Sequence, residues 1–543
     1  MRSTQRFDCV IIGAGHNGLI AAAYLARAGK KVCVLERRSV IGGCSVTEEL
    51  WPGYKISTAS YVLSLLLPEI ISDLQLKQNG LTILPRNPSS FTPCRDGRHL
   101  LLGPDVAFNQ QQIAKFSQRD AEAFPRYEAL LESVASQLEP LLAMTAPDLL
   151  PLPTAWRKAS LGKRLSDVRA AWRIRQSMAA LGPQLPAAIE LLTGAARPIL
   201  ERWFESEPLR ATLATDAVIG AFASVSAPGT AYVLLHHVMG TAGGARGVWG
   251  YVQGGMGQLA EAVWRVCQQL GVELVRECEI ARIETQSGRV VAVTDSAGTS
   301  YAGKVVASSL DANWTFRRFL PPEALPADFL RAVSHIDYSS ATTKINLALS
   351  ELPDFRALPG HQPAPHHRGT IHICDSLDWL ERAYDDAKYG RPSSQPILEI
   401  TLPSSVDTTL APPGKHVMNM FVQYTPYQLS GGKSWDDVKE SFADRCIDLL
   451  VEFAPNVRGA IEHRQVLSPL DLERTYGLTG GNIFQGAMQL NQLFSFRPVA
   501  GWSDHRTPVK GLYLCGAASH PGGGVIGACG RNAARAILAD RLC

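Results

Sequence analysis

The sequence predicts an α/β fold: a parallel sheet wrapped by helices, joined to a second domain of mixed α+β structure. Three observations carry that reading. The chain has 543 residues, more than one hydrophobic core usually covers, so two domains are expected. Residues 7–36, FDCVIIGAGHNGLIAAAYLARAGKKVCVLE, read as buried strand, glycine turn, helix, glycine stop and second buried strand. Near the other end, HPGGGVIGACGRNAARAIL (520–538) leads three consecutive glycines into a helical run of small residues.

The first of these stretches carries the most chemistry. Its turn is G-x-G-x-x-G, formed by Gly13, Gly15 and Gly18. Gly13 permits the tight turn, Gly15 lets backbone approach a pyrophosphate, and Gly18 lets helix and strand pack closely. The helix N-terminus then offers free N–H groups and a partial positive charge to the phosphates. His16 and Asn17 lie inside the turn and are assigned to the same ligand. Ala21, Ala22 and Leu25 recur on the helix face that meets the sheet. Glu36 closes the second strand, where a carboxylate accepts hydrogen bonds from ribose hydroxyls and repels a 2′-phosphate. Strand, helix, second strand and terminal acid together make this a Rossmann-like dinucleotide site. Arg37, Arg38 and the pair Gly42–Gly43 follow, and the glycines let the chain turn back across the dinucleotide. This continuation favours FAD over NAD.

The middle of the chain adds a glycine turn, an amphipathic helix near Gln258–Leu270 and a strand. An alternating run then reads as a β-meander to about residue 310. Gly254, Gly255 and Gly257 imitate a second fingerprint, but the strand before them and the acid after them are missing, so they are read as a structural turn. Residues of about 85–225 and 311–500 are left for the substrate side. There TTKINLALS, PILEITLP and HVMNMFVQY read as strands and Trp435–Phe453 as a helix. A sheet walling a substrate cavity is the expectation.

Composition narrows the function. The net charge is +3, with 46% hydrophobic and 19% charged residues, as in ordinary soluble proteins. No basic stripe interleaved with aromatics supports a nucleic-acid partner. No apolar run reaches the ~18 residues of a membrane span. Residues 154–180 hold seven Lys/Arg and one Asp, with Trp156, Leu165, Val168, Trp172 and Ile174 interspersed. The plain reading is a solvated helix face, and the other is peripheral contact with an anionic membrane. The MRSTQR start leaves no room for a signal or transit peptide. Eleven cysteines form no C-x-x-C pair, and Cys9, Cys33, Cys267, Cys446 and Cys515 lie in apolar or small-residue runs. Buried thiols in a reducing compartment are expected. His366, His367, His372 and Asp375 match no zinc spacing, so no metal site is expected.

Beyond these local readings, the chain resembles the phytoene-desaturase-like flavoprotein family, whose members include carotenoid desaturases, isomerases and ketolases. IIGAGHNGLIAAAYLARAGKKVCVLER, TAYVLLHHVMG, WGYVQGGMGQLAEAV, LERTYGLTGGNIF and GLYLCGAASHPGGGVIGACGRNAA carry the resemblance over nearly the whole chain. It implies an FAD-binding domain of the glutathione-reductase/amine-oxidase type, discontinuous over 1–84, 226–310 and 501–543. A mixed α+β substrate domain would take 85–225 and 311–500. It implies that the last strand and helix complete the FAD site, with Gly516, Gly523, Gly524, Val525 and Ile526 along the flavin. Gly43 is implied near the phosphates and the Ile280 backbone near the adenine. Ala517 stands where amine oxidases often carry an acid, so backbone amides must serve the pyrophosphate.

The same resemblance implies hydride removal from a hydrophobic substrate to flavin N5, with electrons leaving to oxygen, a quinone or another protein. His520 and Gln485 are the candidate catalytic side chains. A flavin-binding regulatory or interaction protein with little turnover is the alternative, and an amine oxidase is a third reading. Disulfide reduction is rejected: after Gly43 comes Cys44, but position 49, where reductases of related fold carry the second cysteine, is Glu49. Animal relatives imply the mitochondrial matrix, whereas this N-terminus fits a bacterial-type cytoplasm.

Overall fold

The computed structural model describes residues 5–148, 161–242, 244, 246–339 and 342–543. The chain opens with β1 (Gln5–Ile12), α1 (His16–Arg27) and β2 (Val32–Leu35). It continues through β3 (Ser90–Pro93), β4 (His99–Leu102) and the helices α2 (Gln118–Ala143), α3 (Leu161–Ala180), α4 (Glu207–Thr215) and α5 (Thr230–Val238). Then come α6 (Gly257–Gln269), β5 (Glu273–Val275), β6 (Ile280–Gln286), β7 (Arg289–Asp295) and β8 (Ser300–Ser308). The next group is β9 (Thr343–Leu349), β10 (Thr370–Ile373), α7 (Leu377–Lys388), β11 (Ile397–Thr401), β12 (His416–Gln423), α8 (Trp435–Phe453) and β13 (Ile461–Leu467). The last strand and helix are β14 (Leu512–Leu514) and α9 (Ala528–Asp540).

The first seven-stranded sheet has the order β6-β7-β8-β1-β2-β5, with β14 paired to β8. Its centre is parallel (β8, β1, β2, β5 and β14), and the meander β6-β7-β8 is antiparallel. Cys9, Val10, Ile11 and Ile12 of β1 are buried whichever way they point, the pattern of a parallel strand covered on both faces. Helix α1 is nearly all small and apolar residues because α6 and α9 pack on it. A Cβ on Gly530 of α9 would stand 2.2 Å from the Asn17 carbonyl oxygen. The final helix therefore sits directly on the first.

The second sheet has the order β13-β9-β12-β11-β10-β3-β4. It is antiparallel except where β10 meets β3. One face carries Ile345, Leu347, Ile371, Ile373, Leu398, Ile400, Met418 and Met420, which join the apolar core with residues of α7 and α8. Helix α8 begins at a capping box in which the Ser434 hydroxyl and the Asp437 carboxylate satisfy each other's backbone N–H groups. The other face is polar and equally buried, carrying Lys344, Asn346, His372, Glu399, Thr401, Asn419 and Gln423. Helices α2 and α4 roof the space above it.

Helix α3 places Leu165, Val168 and Trp172 on the surface, each more than half exposed. Trp156, read from sequence as part of the same helix, lies outside the described residues.

Candidate functional site

A cavity of about 780 Å³ runs from the glycine turn after β1 to the polar face of the second sheet. At the first end, Gly13 has φ +92°, and a Cβ there would stand 2.4 Å from Ser309 Oγ. A Cβ on Gly18 would stand 2.2 Å from the Gly13 carbonyl oxygen, so the turn closes only with glycine. The second glycine loop lies against the first: the Gly42 N–H donates to the Ala14 carbonyl at 2.9 Å. Gly43 and Gly15 face each other backbone to backbone, and a Cβ on Gly43 would be 3.1 Å from Gly15 Cα. Between the loops, the N-terminus of α1 faces the cavity with no side chain capping it.

Glu36 follows β2. Its Oε2 accepts from the Ala14 N–H at 2.7 Å and its Oε1 from the Arg38 N–H at 2.9 Å. The carboxylate is thus fixed at the cavity edge. Arg37 lines the same edge and donates to the carbonyls of Arg474 and Thr475 at 3.0 and 2.8 Å. His16 Nε2 and Asn17 Oδ1 are buried without a partner among the described residues. Burial pulls His16 down to about 4, so its ring is neutral at physiological pH. Two glycine loops closed to side chains, a fixed acid and two orphaned polar atoms are what a dinucleotide would complete.

The C-terminal loop closes the cavity from the other side. Gly523, Gly524 and Val525 line it, and both Gly524 (φ +112°) and Val525 (φ +59°) adopt left-handed backbone. A Cβ on Gly523 would strike the Phe484 ring at 2.3 Å. Ile280 lines the cavity beside Glu279 and Cys278. Four assigned residues stand behind the lining. Gly18 and Gly42 shape the two loops. Gly516 packs on the Ser309 carbonyl, where a Cβ would be 2.1 Å away. Ile526 is a core residue whose carbonyl accepts from the Leu67 N–H.

The structure gives the two catalytic candidates different surroundings. His520 is 2% exposed and lies behind the loop, not in the cavity lining. Its Nε2 is 3.0 Å from the Leu141 carbonyl and its ring packs edge-on against Phe494. Burial lowers it to about 4, and it braces the helical roof. Gln485 does line the cavity, but both ends of its amide are engaged. Nε2 donates to the Ser309 carbonyl at 3.1 Å and Oε1 accepts from the Ala518 N–H at 3.0 Å. It ties the final loop to the end of β8. His520 adjoins the flavin-loop glycines in sequence, but the chain turns its side chain away from the cavity.

Other candidates find simpler places. His237 lines the cavity while His236 is buried beside it. Cys44 lines the cavity, and burial raises its thiol to about 12, far from a thiolate nucleophile. All eleven cysteines are free. No cluster of three metal-ligating side chains occurs among the described residues.

The substrate end holds residues that motif reading missed. In register, His372 lies opposite Glu399, Glu399 opposite Phe421, and Phe421 opposite Lys344. Directly opposed residues share a face, so these four form one transverse row on the cavity floor. Burial pushes Glu399 well above and Lys344 well below their ordinary values. Lys344 Nζ sits 3.8 Å from the centre of the Tyr61 ring. Beside the row, Arg86 donates to the Trp249 carbonyl at 2.6 Å and to Thr370 Oγ1 at 2.7 Å. Asp216, just after α4, has its carboxyl raised to about 7 by burial. Two orphaned buried polar atoms lie in the lining, Lys344 Nζ and Glu399 Oε1, and Thr401 Oγ1, Gln423 Nε2 and both ends of the Asn419 amide are orphaned on the same sheet face outside it. Each costs about 1–3 kcal/mol if left so. Their signal was the alternation of Lys344 with Asn346 and of Glu399 with Thr401 along runs read as strands.

The family model for flavin containing amine oxidoreductases matches residues 18–538. The chain belongs to this family. It is 48% identical over 547 residues to pyridine nucleotide-disulfide oxidoreductase domain-containing protein 2 of Rattus norvegicus, covering 98% of this chain and 94% of that one. It is 26% identical to a limonene dehydrogenase polypeptide of Castellaniella defragrans, covering 99% and 96%. It is 24% identical to phytoene desaturase of Fusarium fujikuroi, covering 95% and 86%. Among solved structures, putrescine oxidase bound to putrescine superposes with a TM-score of 0.62 at 15% identity, covering 99% of each chain. That likeness shows the amino-oxidase-type fold. The chain is therefore an FAD-dependent oxidoreductase of this family, and the cradle described above fits FAD.

Proposed function

We propose that this chain is a dehydrogenase that removes hydride from a C–H bond of a largely hydrocarbon substrate. The observation that carries the reading is the continuity of the cavity. One space joins the glycine cradle to a chamber roofed by Phe124, Leu131, Leu213 and Ile219. An apolar roof binds and orients hydrocarbon and excludes water. Two relatives are named for hydrocarbons, limonene and phytoene, which supports the substrate class. FAD supplies the hydride acceptor.

In this reading, backbone amides around Gly13, Gly15 and Gly43 hold the pyrophosphate and Glu36 holds the ribose. The amides of Gly523–Val525, which line the cavity, would stabilise negative charge on the flavin. No charged acid–base pair is needed, which agrees with the engaged Gln485 and the averted His520. Delivery of such a substrate fits α3, whose exposed Leu165, Val168 and Trp172 lie among the exposed Arg169, Arg173 and Arg175. We propose that this face rests on anionic membrane surfaces. No helix among the described residues is long and apolar enough to cross a membrane.

Anaerobic mixing of the flavin-loaded protein with terpene and polyene hydrocarbons tests the reading. Bleaching of the flavin band by such a donor is expected. Bleaching by primary amines and by no hydrocarbon would overturn it.

A further inference from the structure

The cavity floor carries an inference beyond hydride removal, resting on the hydrocarbon reading above. We infer that the row His372, Glu399, Phe421 and Lys344, with Arg86 and Asp216, is a polar subsite. It receives an uncharged hydrogen-bonding end group, a hydroxyl or a carbonyl, of an otherwise hydrocarbon substrate.

Position comes first. The four row residues occupy neighbouring strands β10, β11, β12 and β9, which at about 4.8 Å between strands makes a floor about 14 Å wide. All four line the cavity, as do Arg86, Thr370 and Asp216. The roof above them is largely apolar, with Phe124, Leu131, Leu213 and Ile219 beside the acid Glu128. A substrate lying between them meets hydrocarbon on one side and hydrogen-bonding groups on the other.

Satisfaction comes second. Glu399 Oε1 and Lys344 Nζ have no hydrogen-bond partner among the described residues. Arg86 donates to two neutral acceptors, the Trp249 carbonyl and the Thr370 hydroxyl. His372 meets Thr215 Oγ1 through Nδ1 at 3.0 Å, which leaves Nε2 for the cavity. Native interiors leave few such groups unpaired. Here donors and acceptors are left together on one surface, so a single group that both donates and accepts, or a carbonyl that accepts, can complete them.

Charge decides the class. The subsite holds two basic groups, Arg86 and Lys344, and two acidic ones, Glu399 and Asp216. These sum to zero when all are ionised. Burial favours neutral Lys344 and neutral Glu399, which removes one charge of each sign, and at pH 8, where Asp216 is ionised against Arg86, the sum stays at zero. A carboxylate or an ammonium end would bring an uncompensated charge into an enclosed space, at high cost. A hydroxyl or carbonyl brings none.

The test uses the flavin-loaded protein and five probes with one hydrocarbon body: butylbenzene, phenylbutanol, benzylacetone, phenylbutylamine and phenylbutyrate. Binding is measured by calorimetry, with the flavin spectrum and melting temperature reporting the fold. Phenylbutanol and benzylacetone should bind about tenfold or more tighter than the other three, the value of one good hydrogen bond. Glu399→Leu should abolish that preference and leave butylbenzene binding unchanged; Asp216→Asn, nearly isosteric, should weaken it if the leucine variant misfolds. Equal binding of butylbenzene and phenylbutanol would overturn the inference. So would tighter binding of a charged probe, or no binding of phenylbutanol. A wild-type protein that binds the alcohol selectively but is never bleached by any hydrocarbon would uphold the subsite and remove the dehydrogenase reading.

Discussion

The central strands of the two large sheets are equally buried and differently used. In β1 of the first sheet, consecutive side chains are apolar on both faces, so the strand serves only to hold its C-terminal turn in place. In β9, β11 and β12 of the second, apolar residues face the helices and the opposite face is largely polar, with Lys344 and Glu399 lining the cavity and neither side open to solvent. A sheet with two apolar faces needs nothing more than its helices. A sheet with one buried polar face is incomplete until something polar meets it. On the reading proposed above, the first sheet marks where backbone binds the cofactor and the second where side chains would select a substrate.

The largest expected effect comes from the first region. Gly18→Val places carbon on the Gly13 carbonyl oxygen and should abolish FAD retention, read as the flavin-to-protein ratio after gel filtration. A variant that keeps its flavin would break the comparison at its simplest point. Glu36→Gln should weaken FAD by roughly tenfold to a hundredfold, since charged hydrogen bonds contribute about 1.5–3 kcal/mol, measured by titrating FAD into the flavin-free protein.

The second region should respond through pH. Asp216 has its folded value raised to about 7 from an ordinary 3.8. The folded state then holds a proton that the unfolded chain has lost, so this group lowers stability as pH rises from about 4 to 7. Asp216→Asn should melt higher than the parent at pH 8 and equally at pH 3.5, in thermal scans without substrate. A constant difference across that range would remove the buried-acid account. Smaller still, Trp172→Glu should lose binding to anionic vesicles with no change in the flavin spectrum. His520→Gln should leave the pH–rate profile in place, because the ring lies outside the cavity lining.

Much of the first region was legible because its chemistry is backbone chemistry. Gly13, Gly15, Gly18 and Glu36 sit at fixed spacings in one continuous stretch, and steric closure of the turn demands glycine there. The FAD cofactor and the fold follow from them. The second region was not legible in the same way. His372, Glu399, Phe421 and Lys344 are spread over 78 residues, and only strand register brings them into one row. TTKINLALS and PILEITLP read as strands of a sheet walling a cavity, but alternation alone does not say which of their polar residues meet across strands. His520 misled for the opposite reason: it is adjacent in sequence to the flavin loop, yet the chain turns its ring toward the Leu141 carbonyl.

The most direct measurement is mass spectrometry of a hydrocarbon alcohol recovered after one anaerobic turnover with the flavin-loaded protein. The account predicts a product lighter by two hydrogens, with a new carbon–carbon double bond and the hydroxyl retained. A product oxidised at the hydroxyl itself, or an unchanged alcohol beside a flavin that amines reduce, would contradict it.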